Sequence, residues 1–145
     1  EREGVQVELH AVGKKGIGYF RYLGRELPTQ RTDIGDKPTA ADAASLVDGL
    51  MRDFVAGTID AVYVVSARFV SALSTPPTSE RVLPVTPPAR KGAAREYILA
   101  PSAEAILTEL LPLYVRNSVY RALVENEAGF QSAQRTAMKN ATDNA

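Results

Sequence analysis

Residues 102–145 read SAEAILTELLPLYVRNSVYRALVENEAGFQSAQRTAMKNATDNA, and this stretch decides the fold. Helix formers fill most of its positions, with Gly129 the only glycine and Pro112 the only proline. Ser102 follows Pro101 and precedes Glu104 and Ala105. It suits a helix N-cap, because a serine hydroxyl can accept from an orphan N–H of the first turn. One helix through the whole stretch would run about 65 Å. A compact chain of this size is only roughly 40 Å across. A large part of the helix is therefore expected to project, or to pack on something outside this chain.

The two halves of the stretch differ. Residues 106–124 carry Ile106, Leu107, Leu110, Leu111, Leu113, Tyr114, Val115, Val119, Tyr120, Leu123 and Val124. That is a wide apolar face of the kind that covers a sheet. From Glu125 onward the large apolar residues are Phe130 and Met138, and a row of alanines remains: Ala133, Ala137 and Ala141. Spaced by four, they stack on one face and let a second helix approach closely. The pattern alone leaves open a surface helix whose alanines only supply propensity. Pro112 removes an N–H that would bond the carbonyl of Thr108, so a kink is expected there.

Upstream, Val5, Val7, Leu9, Ala11 and Val12 alternate with Gln6, Glu8 and His10 as a half-buried strand. Gly13-Lys14-Lys15-Gly16 forms a turn, and residues 17–23 a short helix ended by Gly24. Residues 27–32 read as an edge strand weakened by Pro28. Thr39 with Asp42 resembles a capping box. The helix after it should bury Ala43, Leu46, Val47, Leu50, Met51, Phe54 and Val55, with Gly57 closing it. Ala61-Val62-Tyr63-Val64-Val65 is apolar throughout, as expected of a central parallel strand covered on both faces. Residues 67–73 read as a short turn of helix and residues 78–83 as an edge strand. Residues 86–95 read as a flexible basic loop, and Tyr97-Ile98-Leu99 as the last strand. The expected class is α/β: a small, mostly parallel, Rossmann-like sheet flanked by helices, with a long protruding C-terminal helix. Residues 1–101 would form the α/β domain. Residues 102–145 would form the helix, its first half packed on the domain and its second half free.

Composition narrows the function. The chain has 145 residues, 45% of them hydrophobic, with 17 basic and 17 acidic side chains, so no electrostatic case for nucleic acid arises. Cysteine is absent, which removes disulfides and thiolate metal sites. The apolar runs are far too short to span a membrane, no signal peptide opens the chain, and the start lacks an initiator methionine. Gly13, Gly16 and Gly18 follow the first strand, but as G-x-x-G-x-G rather than the dinucleotide-binding G-x-G-x-x-G. A small nucleotide- or anion-binding α/β protein using this turn is the alternative reading. His10 has no second histidine with which to hold a metal. Asp33 and Asp36 lie in a turn-rich loop that suits local hydrogen bonds better than acid/base work. Ser66 ends a strand but lacks the G-x-S-x-G elbow and a downstream histidine. Tyr19, Tyr22, Tyr114 and Tyr120 read as packing rather than a stacking platform. No catalytic group, cofactor or metal is expected.

Ala137-Met138-Lys139-Asn140-Ala141-Thr142-Asp143-Asn144 resembles the A-M-K-x-A-T-D-N segment of the gamma subunit of F-type ATP synthase, the central rotor shaft. Val115, Ser118-Val119-Tyr120 and Val124-Glu125-Asn126 are similar to that family's Y-V-x-x-x-V-Y-x-x-x-V-E-N helix segment. AVYVVSARF at residues 61–69 resembles its central strand, Gly35-Asp36-Lys37-Pro38-Thr39 its G-D-x-P-[ST] loop, and Gly13-Lys14-Lys15-Gly16 its G-x-K-G turn. The pieces occur in the family's order and together cover nearly the whole chain.

The resemblance implies a non-catalytic rotor part. In that family an α/β domain sits at the foot of the central stalk, against an epsilon-type subunit and the membrane c-ring. The long helix rises into the hexamer of alpha and beta subunits as half of a coiled coil. The chain would then be a fragment lacking the N-terminal helix and the C-terminal end. It would be peripheral to the cytoplasmic face of a bacterial inner membrane, without a span of its own. Ala133, Ala137 and Ala141 would face the partner helix. Gln131, Gln134, Arg135, Met138, Lys139 and Asp143 would make shaft contacts, and Lys14, Lys15, Tyr97 and Ala100 foot contacts. Departures from the family pattern are Phe130-Gln131, Gln134-Arg135-Thr136, Ala100 where an acidic residue is common, and Pro112. They suggest a divergent or alternate-type subunit.

Overall fold

The computed structural model describes residues 4–86 and 102–144. The expected strand Tyr97-Ile98-Leu99 and nearly all of the expected basic loop lie outside the described residues. The chain divides into two compact units, Glu1–Lys37 and Pro38–Ala145.

The first unit is a strand, a helix and a strand: β1 (His10–Val12), α1 (Lys14–Tyr22) and β2 (Thr29–Arg31). The strands pair in parallel, with His10 opposite Thr29 and Val12 opposite Arg31. Gly13 makes the turn between β1 and α1 at φ 99°, a backbone setting that side-chain-bearing residues avoid. Ala11, Ile17 and Leu27 form the buried centre, with Leu9 and Phe20 against it. The strand expected from Val5 is shorter than its alternation suggested. Val5 and Val7 are more than half exposed. A ladder exists only where a partner faces it, and β2 begins just after Pro28, which has no N–H to give.

The second unit contains α2 (Ala40–Val55), β3 (Val62–Ala67), β4 (Pro77–Leu83) and α3 (Ala103–Asp143). The capping box at the start of α2 is complete: the Asp42 N–H donates to Thr39 Oγ1 at 3.2 Å, and the Thr39 N–H to Asp42 Oδ2 at 2.8 Å. Thr39→Ala should cost about 1 kcal/mol. In calorimetry the melting temperature should fall by roughly 4–8 °C. Ala43 and Val47 are buried, and Leu46, Leu50, Met51 and Phe54 pack beside them. Val55, expected in this face, is exposed, because the helix ends there, just before the Gly57 turn.

β3 departs from the expected central parallel strand. It pairs antiparallel with β4, Tyr63 opposite Arg81 and Val65 opposite Ser79. Val62 is buried and Val64 packs on the core, whereas Tyr63 and Val65 are exposed. An unbroken apolar run does not reveal which face is covered, and among the described residues the core shared with α2 and α3 takes in Val62 and Val64 but not Tyr63 or Val65. Residues 67–73 do not form the expected turn of helix either. The N–H groups of Arg68 and Val70 donate across the hairpin to the carbonyls of Pro76 and Ser74, at 2.9 and 3.1 Å, rather than back along the chain.

α3 is the long helix expected, and it continues through Pro112. Ser102 caps it, accepting from the Ala105 N–H at 3.1 Å. It packs on α2, β3 and β4, and buries Val115 and Val119 in one core with Ala43, Val47, Val62, Val82 and Leu83. The apolar face expected over residues 106–124 is only partly used. Leu107, Leu110, Leu111, Leu113, Tyr114 and Val124 are exposed. At about 100° per residue, Leu107, Leu110 and Tyr114 point well away from the side of Val115 and Val119. What reads as one wide face is an inward stripe plus a second one turned outward.

Candidate interaction surface on the long helix

Among residues 133–143 of α3 all but Thr136 are exposed. Ala133 and Ala137 follow Val115 and Val119 by eighteen positions each, which is about five whole turns. The alanine row is thus the core-facing stripe carried roughly 27 Å further along the helix. Large β-branched residues occupy it where the sheet and α2 lie beneath. Small ones occupy it where nothing among the described residues of this unit covers them.

Residues 68–76 cross the helix between these two zones. The Phe69 N–H donates to Glu125 Oε2 at 3.3 Å, and Ser132 Oγ donates to the Ala72 carbonyl at 3.0 Å. Between them Gly129 is buried, and a Cβ there would stand 3.0 Å from Thr75 Cγ2. Glycine inside a helix costs about 1 kcal/mol relative to alanine, and close approach of another segment is the reason for it here. Lower down, Arg116 forks onto Asp48 of α2 with bonds of 2.8 and 2.9 Å. The Asp48 carboxylate pushes the Arg116 pKa up.

Arg121 Nε reaches Glu125 Oε1 at 2.7 Å one turn along the helix. That bond, with help from the Phe69 N–H, holds the Glu125 carboxyl below the ordinary carboxylate range despite some desolvation. A lowered folded-state pKa means that the contribution is complete above the unfolded value and is lost as pH falls through the folded one. Between about pH 5 and pH 3 the melting temperature should therefore drop more steeply for the parent chain than for Glu125→Gln, as thermal scans at several pH values would show.

An open groove of about 670 Å³ lies between the crossing segment and the helix. It brings together four of the expected shaft residues, Gln131, Arg135, Lys139 and Asp143, with Phe69 and Leu73. Gln134 and Met138 are exposed on the helix outside this groove. Ala141 is exposed like the other two alanines. Lys14 and Lys15 are exposed in the first turn of α1, where the helix dipole disfavours cations. Tyr97 and Ala100 lie outside the described residues.

Several of the other residues considered for chemistry have structural partners. His10 Nε2 meets Glu8 Oε1 at 2.9 Å. Arg31 forks onto Asp33 at 2.6 and 2.7 Å and lowers its pKa. The Gly13 N–H donates to the Arg31 carbonyl at 2.8 Å, so the glycine turn does not offer it to an anion. Of the four tyrosines expected to pack, Tyr120 lies against the core, while Tyr19, Tyr22 and Tyr114 are exposed. Among the described residues no group of acidic or histidine side chains could hold a metal, and no helix is long and apolar enough to cross a membrane. Two features were missed from sequence: the crossing segment and the Asp48–Arg116 pair. The lone glycine of a 41-residue helix was the available signal for the first.

A family model described as ATP synthase matches residues 1–145. The chain belongs to this family. It is 68% identical over its whole length to an ATP synthase gamma chain of Gemmatimonas aurantiaca, and 41% identical over 99% of its length to that of Frankia casuarinae. It spans about half the length of these relatives, 51% in both. Among solved structures it is similar to a chain from the central stalk and c-ring of the Tetrahymena thermophila mitochondrial ATP synthase. The TM-score is 0.66 at 25% identity, over 92% of this chain and 60% of that one. Family and fold agree with the resemblance drawn from the motifs, and the nucleotide- or anion-binding alternative is not supported.

Proposed function

We propose that the chain is part of a central-stalk rotor subunit, which couples ion-driven rotation of a membrane ring to conformational change in a catalytic hexamer. The observation that carries this reading is the α3 stripe, apolar and buried at Val115 and Val119 but small and bare at Ala133, Ala137 and Ala141. A second helix laid along that row would complete a shaft. Residues 1–101 would serve as the body and residues 102–145 as the shaft helix. Gln131, Gln134, Arg135, Met138, Lys139 and Asp143 would meet the alpha and beta subunits. Lys14 and Lys15, kept where a helix dipole disfavours them, would contact the epsilon-type subunit or the c-ring, together with Tyr97 and Ala100. The role is mechanical rather than catalytic. An asymmetric shaft favours a different state in each catalytic subunit by making different contacts with each. The complex would lie at the cytoplasmic face of a bacterial inner membrane. Affinity purification of the full protein carrying these residues tests the proposal. Alpha and beta subunits should come down with it in stable amounts, and their absence from an intact preparation would refute the assignment.

A further inference from the structure

We infer that residues 68–76 act as a strap that sets the rotation of α3 about its own axis on the β3–β4 sheet. An apolar stripe sets which face of a helix turns inward, but burial has no preferred direction within that face and resists small rolls about the axis only weakly. The Arg116–Asp48 fork to α2 restrains such a roll at the lower end of the helix, and the strap restrains it further along. The strap adds contacts at Glu125, Gly129 and Ser132, which follow one another by four and three positions and so share one side of the helix. That side lies about a quarter turn from the valine stripe. Two lines of contact on different sides fix the rotation, and the hydrogen bonds among them are directional. Of the strap's own apolar side chains, Val70 and Leu73 are 62% and 85% exposed, and Phe69, at 38%, is the more covered one. Its directional hold on the helix is the carboxylate, the hydroxyl and the glycine notch. With the rotor reading of the preceding section, on which this step rests, the strap makes the shaft helix and the sheet turn as one body.

The chain has no cysteine, so Tyr63→Cys on β3 and Thr142→Cys near the end of α3 give a unique pair of spin-label sites within it. Pulsed EPR on the full protein, otherwise free of cysteine, both alone and in the assembled complex, should return a single narrow distance distribution. Gly129→Leu, which drives the strap off the helix, should broaden it roughly twofold, as loss of a local contact does when the core stays intact. The double variant Ser132→Ala with Glu125→Gln should also broaden it, without adding bulk, and it decides the matter if Gly129→Leu does not fold. An unchanged width in the double variant would overturn the strap. Failure of the unsubstituted protein to assemble with alpha and beta subunits would refute the rotor reading instead, while the measurement on the free protein would still judge the strap.

Discussion

Val115→Asp should abolish the cooperative unfolding transition of the second unit. Val115 is 1% exposed and lies in one core with Ala43, Val47, Val62, Val82 and Leu83. Losing the burial of a valine costs about 1.5–3 kcal/mol. A carboxylate in that place has no cation to pair with, and an uncompensated buried charge costs about 3–5 kcal/mol more. The sum reaches the roughly 5–15 kcal/mol that holds a whole domain together. Val115→Ala removes only the burial and leaves a small cavity, so it should cost about 2 kcal/mol and keep a cooperative transition. Urea denaturation followed by circular dichroism separates the two outcomes. A cooperative transition in Val115→Asp with an undiminished midpoint would mean that this stripe is not what seats α3 on the body.

How much of this was legible in the sequence depended on whether the deciding partner lay nearby along the chain. The Thr39–Asp42 capping box, the Gly24 and Gly57 turns and the Ser102 cap are local, and each was readable from a few residues. Strand β3 was readable as a strand, but its direction and its covered face depend on β4 and on two helices elsewhere. Five apolar residues in a row say nothing of either. The lower half of α3 failed for the same reason. With apolar residues around much of the helix, periodicity could not separate the buried Val115 and Val119 from the exposed Leu107, Leu110 and Tyr114. In the candidate surface the alanine row was legible because small residues at a spacing of four stand out. The strap was not, because its bonds join Phe69 to Glu125 and Ala72 to Ser132 across more than fifty residues of chain.

The alanine row permits a sharp contrast with Val115, because it is the same stripe five turns on. Ala133→Glu with Ala137→Glu places two long, charged side chains where alanine now leaves room for another backbone. Both positions are exposed, and glutamate is a good helix former, so stability of the purified protein should move by no more than about 0.5 kcal/mol. Against a partner helix the same change should be severe. Two carboxylates one turn apart would be buried without cations and would hold the backbones apart, at a cost of about 3 kcal/mol, or roughly a hundredfold in affinity. The expected result is a protein that melts as before but no longer brings down alpha and beta subunits. Arginine at the same two positions should do equal harm, since bulk and desolvation matter here more than sign. If both variants melt normally and assemble normally, the row packs against nothing. Ala133, Ala137 and Ala141 would then be there for helix propensity, and the shaft would have to be completed along another face of α3.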